Sequence, residues 1–143
     1  MPNFWLLKTE PSAYSYSDLE KDGKTTWDGV ANNYALKNMS RMKKGDMVFI
    51  YHTGDEKQIV GIAAVISNPY PDPKQKNPRL LVIDLKPHKK LSRPVTLAEL
   101  KAQKDLKNFE LVKLPRLSVM PVPPEIWKKI LKLVAQSRFE ISK

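Results

Sequence analysis

The sequence predicts a small mixed α/β domain in which about five to six short strands form one strongly curved or closed sheet, with helices packed outside it. Three observations lead there. A chain of 143 residues suits one domain with one core. Short apolar stretches bounded by Gly, Pro, Asn and Asp alternate with short helical patterns. No repeat, linker or low-complexity tract divides the chain, so the domain is expected to cover 1–143, with 135–143 as a fraying tail.

In chain order, "FWLLK" (4–8) is aromatic, aliphatic and short, and stops before Pro11, which marks a first strand. In "SYSDLEK", Ser15 with Asp18 and Ser17 with Glu20 both match a capping box, so a short helix should run to Gly23. Residues 33–42, "NYALKNMSRM", place Ala35, Met39 and Met42 at helical spacing and end before Gly45. Met47 to His52 reads as a buried strand, and Ile59 to Ile66 as its hairpin partner across Gly54-Asp55. Beyond the proline-rich "NPYPDP", the segment "RLLVIDLKP" gives a further strand with Leu81, Ile83 and Leu85 on one face. Thr96 and Glu99 form a full capping box opening an amphipathic surface helix. "RLSVMPV" is a last strand cut by Pro121, and the helix of "PPEIWKKILKLVA" begins at proline and buries Ile126, Trp127, Ile130, Leu131 and Val134.

Composition narrows the function. No apolar run reaches 18 residues and no basic segment precedes a short apolar one, which predicts neither a membrane span nor a signal peptide and an intracellular, cytoplasmic protein. With no cysteine and two separated histidines, no metal site and no cofactor is expected. The net charge of +10 is uneven: residues 1–72 carry eight Lys+Arg against nine Asp+Glu, whereas 73–143 carry seventeen against six. Such a field attracts polyanions and makes nucleic-acid binding salt-dependent, although a lysine-rich surface also serves solubility alone.

Enzyme signatures are missing: G-x-S-x-G, the P-loop, G-x-G-x-x-G and H-E-x-x-H do not occur. His52 with Asp28 or Glu10 makes an acid/base pair of a kind that almost any chain offers. The near-neutral "WDGVANNY" (27–34) is more pointed. A flat ring stacks on a nucleobase while Asn offers donor and acceptor to its edge, and Gly29 lets backbone approach closely. The same residues equally suit a loop anchor, with Trp27 plugging the core and an Asn capping the next helix.

Six segments in order, "FWLLKTEPSAYSYSDL", "WDGVANNYALKNM", "KKGDMVFIYHTG", "IVGIAAVISNPYPDP", "RPVTLAELK" and "RLSVMPV", resemble the EVE domain family, relatives of PUA domains and of the YTH readers of methylated adenine in RNA. The resemblance spans residue 4 to about 135 and implies a PUA-like curved sheet with peripheral helices, one pocket holding a modified base or nucleotide, and no catalytic residue. It carries ligand-binding roles to Lys8, Thr9 and Glu10 (family K-S-E-P), to Trp27, Gly29, Val30 and Asn32 (W-x-G-V-R-N), to Tyr51, His52 and Thr53 (Y-H-S), and to Leu117 and Ser118 (R-L-S-V). Ala31 and Leu36 stand where the family commonly has Arg, which removes groups that bind phosphate bidentately or stack on a base. Lys37 compensates in part.

The expected protein is a monomeric, non-enzymatic reader of a modified base in DNA or RNA. Its neutral half reads the base, while Lys37, Lys89, Lys90, Arg93 and Arg116 hold the nucleic-acid backbone. A general PUA-type RNA-binding module and a nucleotide-acting enzyme using His52 are the alternatives.

Overall fold

The computed structural model describes residues 3–136. Its strands are β1 (Phe4–Thr9), β2 (Thr25–Trp27), β3 (Met47–His52), β4 (Gln58–Val65), β5 (Tyr70–Pro71), β6 (Leu81–Thr96) and β7 (Val119–Pro121). Its helices are α1 (Tyr16–Asp22), α2 (Asn33–Ser40), α3 (Leu97–Lys101), α4 (Glu110–Lys113) and α5 (Pro124–Ala135). Six strands run in the order β2-β6-β4-β3-β1-β7 as a strongly curled half-barrel, and β5 pairs with β6 off that path. The curved mixed sheet with outer helices is therefore the observed fold.

β1 lies parallel to β3, Leu6 opposite Phe49, and antiparallel to β7, which makes it an interior strand with Trp5, Leu6 and Leu7 all buried. A strand covered on both faces needs an uninterrupted apolar run. The β3–β4 hairpin forms as the sequence predicts. α5 then closes the core through Trp127, whose ring stacks on Phe4 (4.4 Å) and Phe49 (3.8 Å).

Curvature concentrates in β6, which is 16 residues long where the sequence suggested a strand ending at Pro87. Its pairing with β4 shifts register between Ile62 and Ala63, beside Pro87, and again between Ile59 and Gly61, where residues 91–94 bulge out. Proline gives the ladder no N–H, so pairing is interrupted and the strand bends. At Gly61 a Cβ would overlap the Tyr16 ring, and the bare backbone lets that ring cross β4 while its hydroxyl donates to the Ile62 carbonyl (2.8 Å).

Helix starts follow their caps. Ser15 with Asp18 is the box that forms at α1, rather than Ser17 with Glu20, and Thr96 with Glu99 opens α3. α3 is only five residues long and is followed by a 3-10 turn (Lys104–Leu106) and α4. On α5 the inward stripe is Trp127, Ile130 and Leu133, with Ile126 and Val134 half-buried and Leu131 exposed, a rotation that corrects the expected burial of Leu131. Ala135 closes α5, and the rest of the expected tail, 137–143, lies outside the described residues. No helix among the described residues is long and apolar enough to cross a membrane.

Candidate functional site

A cleft of about 550 Å³ opens beside the β2 edge of the sheet, within the size range of small-ligand pockets. Its walls come from β1 (Lys8, Thr9), the following loop (Tyr14), β2 and its end (Thr25, Thr26, Trp27, Asp28) and the β5–β6 connection (Tyr70, Asp72, Pro73, Lys74). β2 is the organising piece. Thr26 pairs with Asp84 and Trp27 with Ile83, which sets the Trp27 ring at the base of the cleft and the hydroxyl of Thr26 beside the Asp84 carboxylate (2.9 Å).

Three aromatic rings meet here. Trp27 is 8% exposed and takes the edge of Tyr14 at 6.2 Å and 82°. Tyr14 donates to Asp22 (2.8 Å), and Tyr70 donates to the same Asp84 oxygen that holds Thr26 (2.7 Å). Burial first, then the Asp22 contact, raises the Tyr14 phenol; the Asp84 hydrogen bond first, then burial, raises Tyr70. Both phenols are neutral donors at physiological pH, and their hydroxyl tethers hold the two rings in the cleft wall. The Trp27 indole N–H has no acceptor among the described residues and is not a buried orphan, so it keeps contact with solvent. The cleft thus combines aromatic rings with threonine hydroxyls.

The residues implied by the resemblance divide into three groups. Lys8, Thr9 and Trp27 line this cleft. Lys8 Nζ donates to the Pro115 carbonyl (2.7 Å) and lies 5.7 Å from the Tyr51 ring centre, and burial lowers its pKa. Thr9 Oγ1 donates to the Tyr14 carbonyl (2.7 Å), fixing the loop that presents Tyr14. The second group supports the first. Glu10 accepts from Ser12 and from Thr53 Oγ1 (3.3 Å), the Ser118 carbonyl accepts from Lys8 N (3.0 Å), and Tyr51, Val30 and Leu117 are buried. Asn32 is the N-cap of α2, accepting from Ala35 N (3.0 Å), and Gly29 supplies the positive φ (79°) that turns the chain from β2 toward that cap. Asn32 thus takes the capping alternative, and Trp27 is largely a core side chain that also lines the cleft.

His52 forms the third group. It lines a separate cleft of about 580 Å³ with Ser17, Glu56, Gln58 and Lys90. Nε2 accepts from the Tyr16 amide (3.0 Å), which places the ring proton on Nδ1 facing Glu56 (2.9 Å), and this contact lowers the Glu56 pKa. Nε2 is committed to the start of α1 and Nδ1 to Glu56 in the β3–β4 connection.

Of the expected backbone contacts, Lys37, Lys89, Lys90 and Arg116 are exposed. Arg93 differs. Its guanidinium makes a two-pronged pair with Glu99 (2.6 and 3.0 Å) and its Nε is buried without a partner, so it anchors the bulge of β6 to α3 instead of facing solvent. Leu36 is buried in the core and Ala31 is exposed, so neither position offers a cation. Sequence reasoning passed over Tyr14, Thr25, Thr26, Tyr70, Asp72, Lys74 and the Asp84 hub. Aromatics in Pro- and Ser-rich connections were the available signal.

A half-barrel with one aromatic, hydroxyl-lined cleft defines a PUA-like binding domain. The EVE domain model matches residues 3–133, and the chain belongs to that family. It is 37% identical to an uncharacterized protein of Schizosaccharomyces pombe, covering 93% of this chain and 69% of that one. A solution NMR structure of a Rhodopseudomonas palustris protein superposes with a TM-score of 0.88 at 41% identity, over 93% of each chain. Human thymocyte nuclear protein 1, in a crystal structure with DNA containing 5-methylcytosine, superposes with a TM-score of 0.87 at 29% identity, over 94% of this chain and 99% of that one. Nucleic-acid binding is therefore a property of a member of this family.

The same comparisons correct the expected cytoplasmic location, since the human and rat relatives are nuclear proteins by name. The missing membrane span and signal peptide behind that expectation do not separate cytosol from nucleus.

Proposed function

We propose that the protein acts as one domain and is a non-enzymatic reader of a modified base in nucleic acid, taking the base into the cleft of Tyr14, Trp27 and Tyr70. The observation that carries the reading is that cleft: tethered aromatic rings and hydroxyls from Thr9, Thr25 and Thr26, the set that stacking plus edge recognition of a base requires. The DNA complex of the human relative supports nucleic acid as the ligand. The exposed Lys89 and Lys90 supply sequence-independent affinity. A strand rises about 3.3 Å per residue, which puts Lys89 at most roughly 17 Å along β6 from Asp84, a span of about five nucleotides. Against the enzyme alternative, His52 has no lone pair available for a substrate proton.

The test compares otherwise identical oligonucleotides carrying 5-methylcytosine or cytosine, as DNA and as RNA, by titration calorimetry and by mass analysis after incubation. The modified strand should bind at least several-fold tighter and return unchanged. Equal affinity would support a general PUA-type module instead. A product that disappears in His52→Ala would make the protein an enzyme.

A further inference from the structure

We propose that the connection 72–80 is a phosphate clamp, with Lys74 and Arg79 gripping the phosphate of the nucleotide whose base occupies the cleft; this rests on the base-reading proposal above. The connection is a closed, prefolded loop. Asp72 N donates to the Leu80 carbonyl at its neck (2.8 Å), Asp72 Oδ1 accepts from Lys74 N (2.9 Å), Gln75 N donates to the Asp72 carbonyl (3.1 Å), and Asn77 Oδ1 accepts from Arg79 N (3.0 Å). Asp72 itself is buried. A loop fixed in this way presents its cations without a backbone ordering cost on binding.

Lys74 lines the cleft directly. Arg79, five residues on in the same loop, donates through Nη2 to Asn33 Oδ1 (2.9 Å) at the start of α2, and so joins the loop to the segment that follows Trp27 and Asp28. Among the described residues neither cation has a carboxylate within ion-pair distance, in contrast to Arg93 with Glu99. One prong of the Arg79 fork is used and its other donors are exposed, a geometry suited to phosphate oxygens. The cleft lining combines the rings of Tyr14, Trp27 and Tyr70 with the cation of Lys74, and that combination matches a nucleotide better than a free base or nucleoside.

The probes are 5-methyl-2′-deoxycytidine and its 5′-monophosphate, with affinities measured by NMR titration at low salt. The wild type should bind the monophosphate about tenfold tighter than the nucleoside, the usual worth of a charge-assisted hydrogen bond. Lys74→Ala with Arg79→Ala should abolish that preference, the monophosphate losing about tenfold more affinity than the nucleoside, whereas Lys89→Ala with Lys90→Ala should preserve it. Asn33→Ala separates binding from mere support: it breaks the tie but keeps the guanidinium, so the preference should survive. Loss of the preference in Asn33→Ala as fully as in Arg79→Ala would make Arg79 a loop tie and overturn the clamp. Equal wild-type affinity for both probes would also overturn it while leaving base reading intact. Failure of both probes to bind the cleft would remove base reading and the clamp together.

Discussion

Replacing Trp27 with alanine separates what holds the fold from what meets the ligand, because the structure gives the indole both tasks. The ring is 8% exposed, packs against the edge of Tyr14 and closes the base of the cleft beside β6. Truncating a tryptophan this buried costs about 3–5 kcal/mol through lost transfer energy and the cavity left behind. Unfolding entropy of about 2 cal/mol/K per residue converts that loss into a fall of roughly 10–17 °C in Tm. Affinity falls as well, by about 1–3 kcal/mol, the usual worth of a stacking partner. Trp27→Phe keeps a ring against Tyr14 but loses the indole N–H, so its Tm should fall by only a few degrees. Thermal melts by circular dichroism, with calorimetric titrations well below the lower Tm, separate the two effects. A Trp27→Ala protein that melts within about 3 °C of wild type would refute the packing argument, since no side chain so enclosed is removed at so small a cost.

Four further outcomes follow from the same geometry. Lys89→Ala with Lys90→Ala should weaken binding of modified and unmodified single strands alike and flatten the salt dependence by about 0.7 per lost phosphate contact; a loss confined to modified strands would contradict the division between reading and holding. His52→Ala should lower stability by about 1–3 kcal/mol, because the Tyr16 amide loses its acceptor, and should neither create nor remove a product on mass analysis. Gly61→Ala should destabilise by about 1–3 kcal/mol, as the new methyl meets the Tyr16 ring, and Tyr16→Phe should not relieve it. Burial opposes ionisation of Glu99, but the hydrogen bonds from Arg93 and Thr96 outweigh it and leave its pKa lowered. A lowered folded-state pKa gives stability that is full above the unfolded carboxylate value, near 4.3, and is lost as pH falls through the folded one. Glu99→Gln should therefore lose stability at neutral pH and show a shallower decline toward acid, in urea melts between about pH 3 and 7.

The parts of the fold legible in the sequence are those whose signal is local. The Gly23 stop of α1, the Thr96–Glu99 box and the β3–β4 hairpin are each written within a few adjacent residues. β2 was not legible: "TTW" is three residues long and is a strand only because β6 pairs with it. β6 was half-read for the converse reason, since "KPHKKLSRP" has the prolines and charges of a loop and becomes a strand through its ladder with β4. Tertiary pairing overrides propensity in both places. Of the site, the resemblance carried Lys8, Thr9 and Trp27 to the cleft, but it drew His52 to the same place, although its ring bonds to Tyr16 and Glu56 and lines a separate cleft. Tyr14 and Tyr70 were hidden because a ring in a connection carries no periodicity, and only the Asp22 and Asp84 tethers make them walls.

The chain has three tryptophans, and their indole N–H resonances test the base-reading claim most directly. Trp5 is buried with its N–H on Asp46 (2.9 Å), and Trp127 lies stacked under α5, so neither reports on the cleft. In a 15N-correlated NMR titration with an oligonucleotide carrying 5-methylcytosine, the Trp27 indole signal should move, along with the amides of Thr9, Tyr14, Thr26 and Lys74, and the unmodified strand should move it far less. A Trp27 signal that stays still while amides around His52 and Lys90 shift, or that responds equally to both strands, would contradict the account.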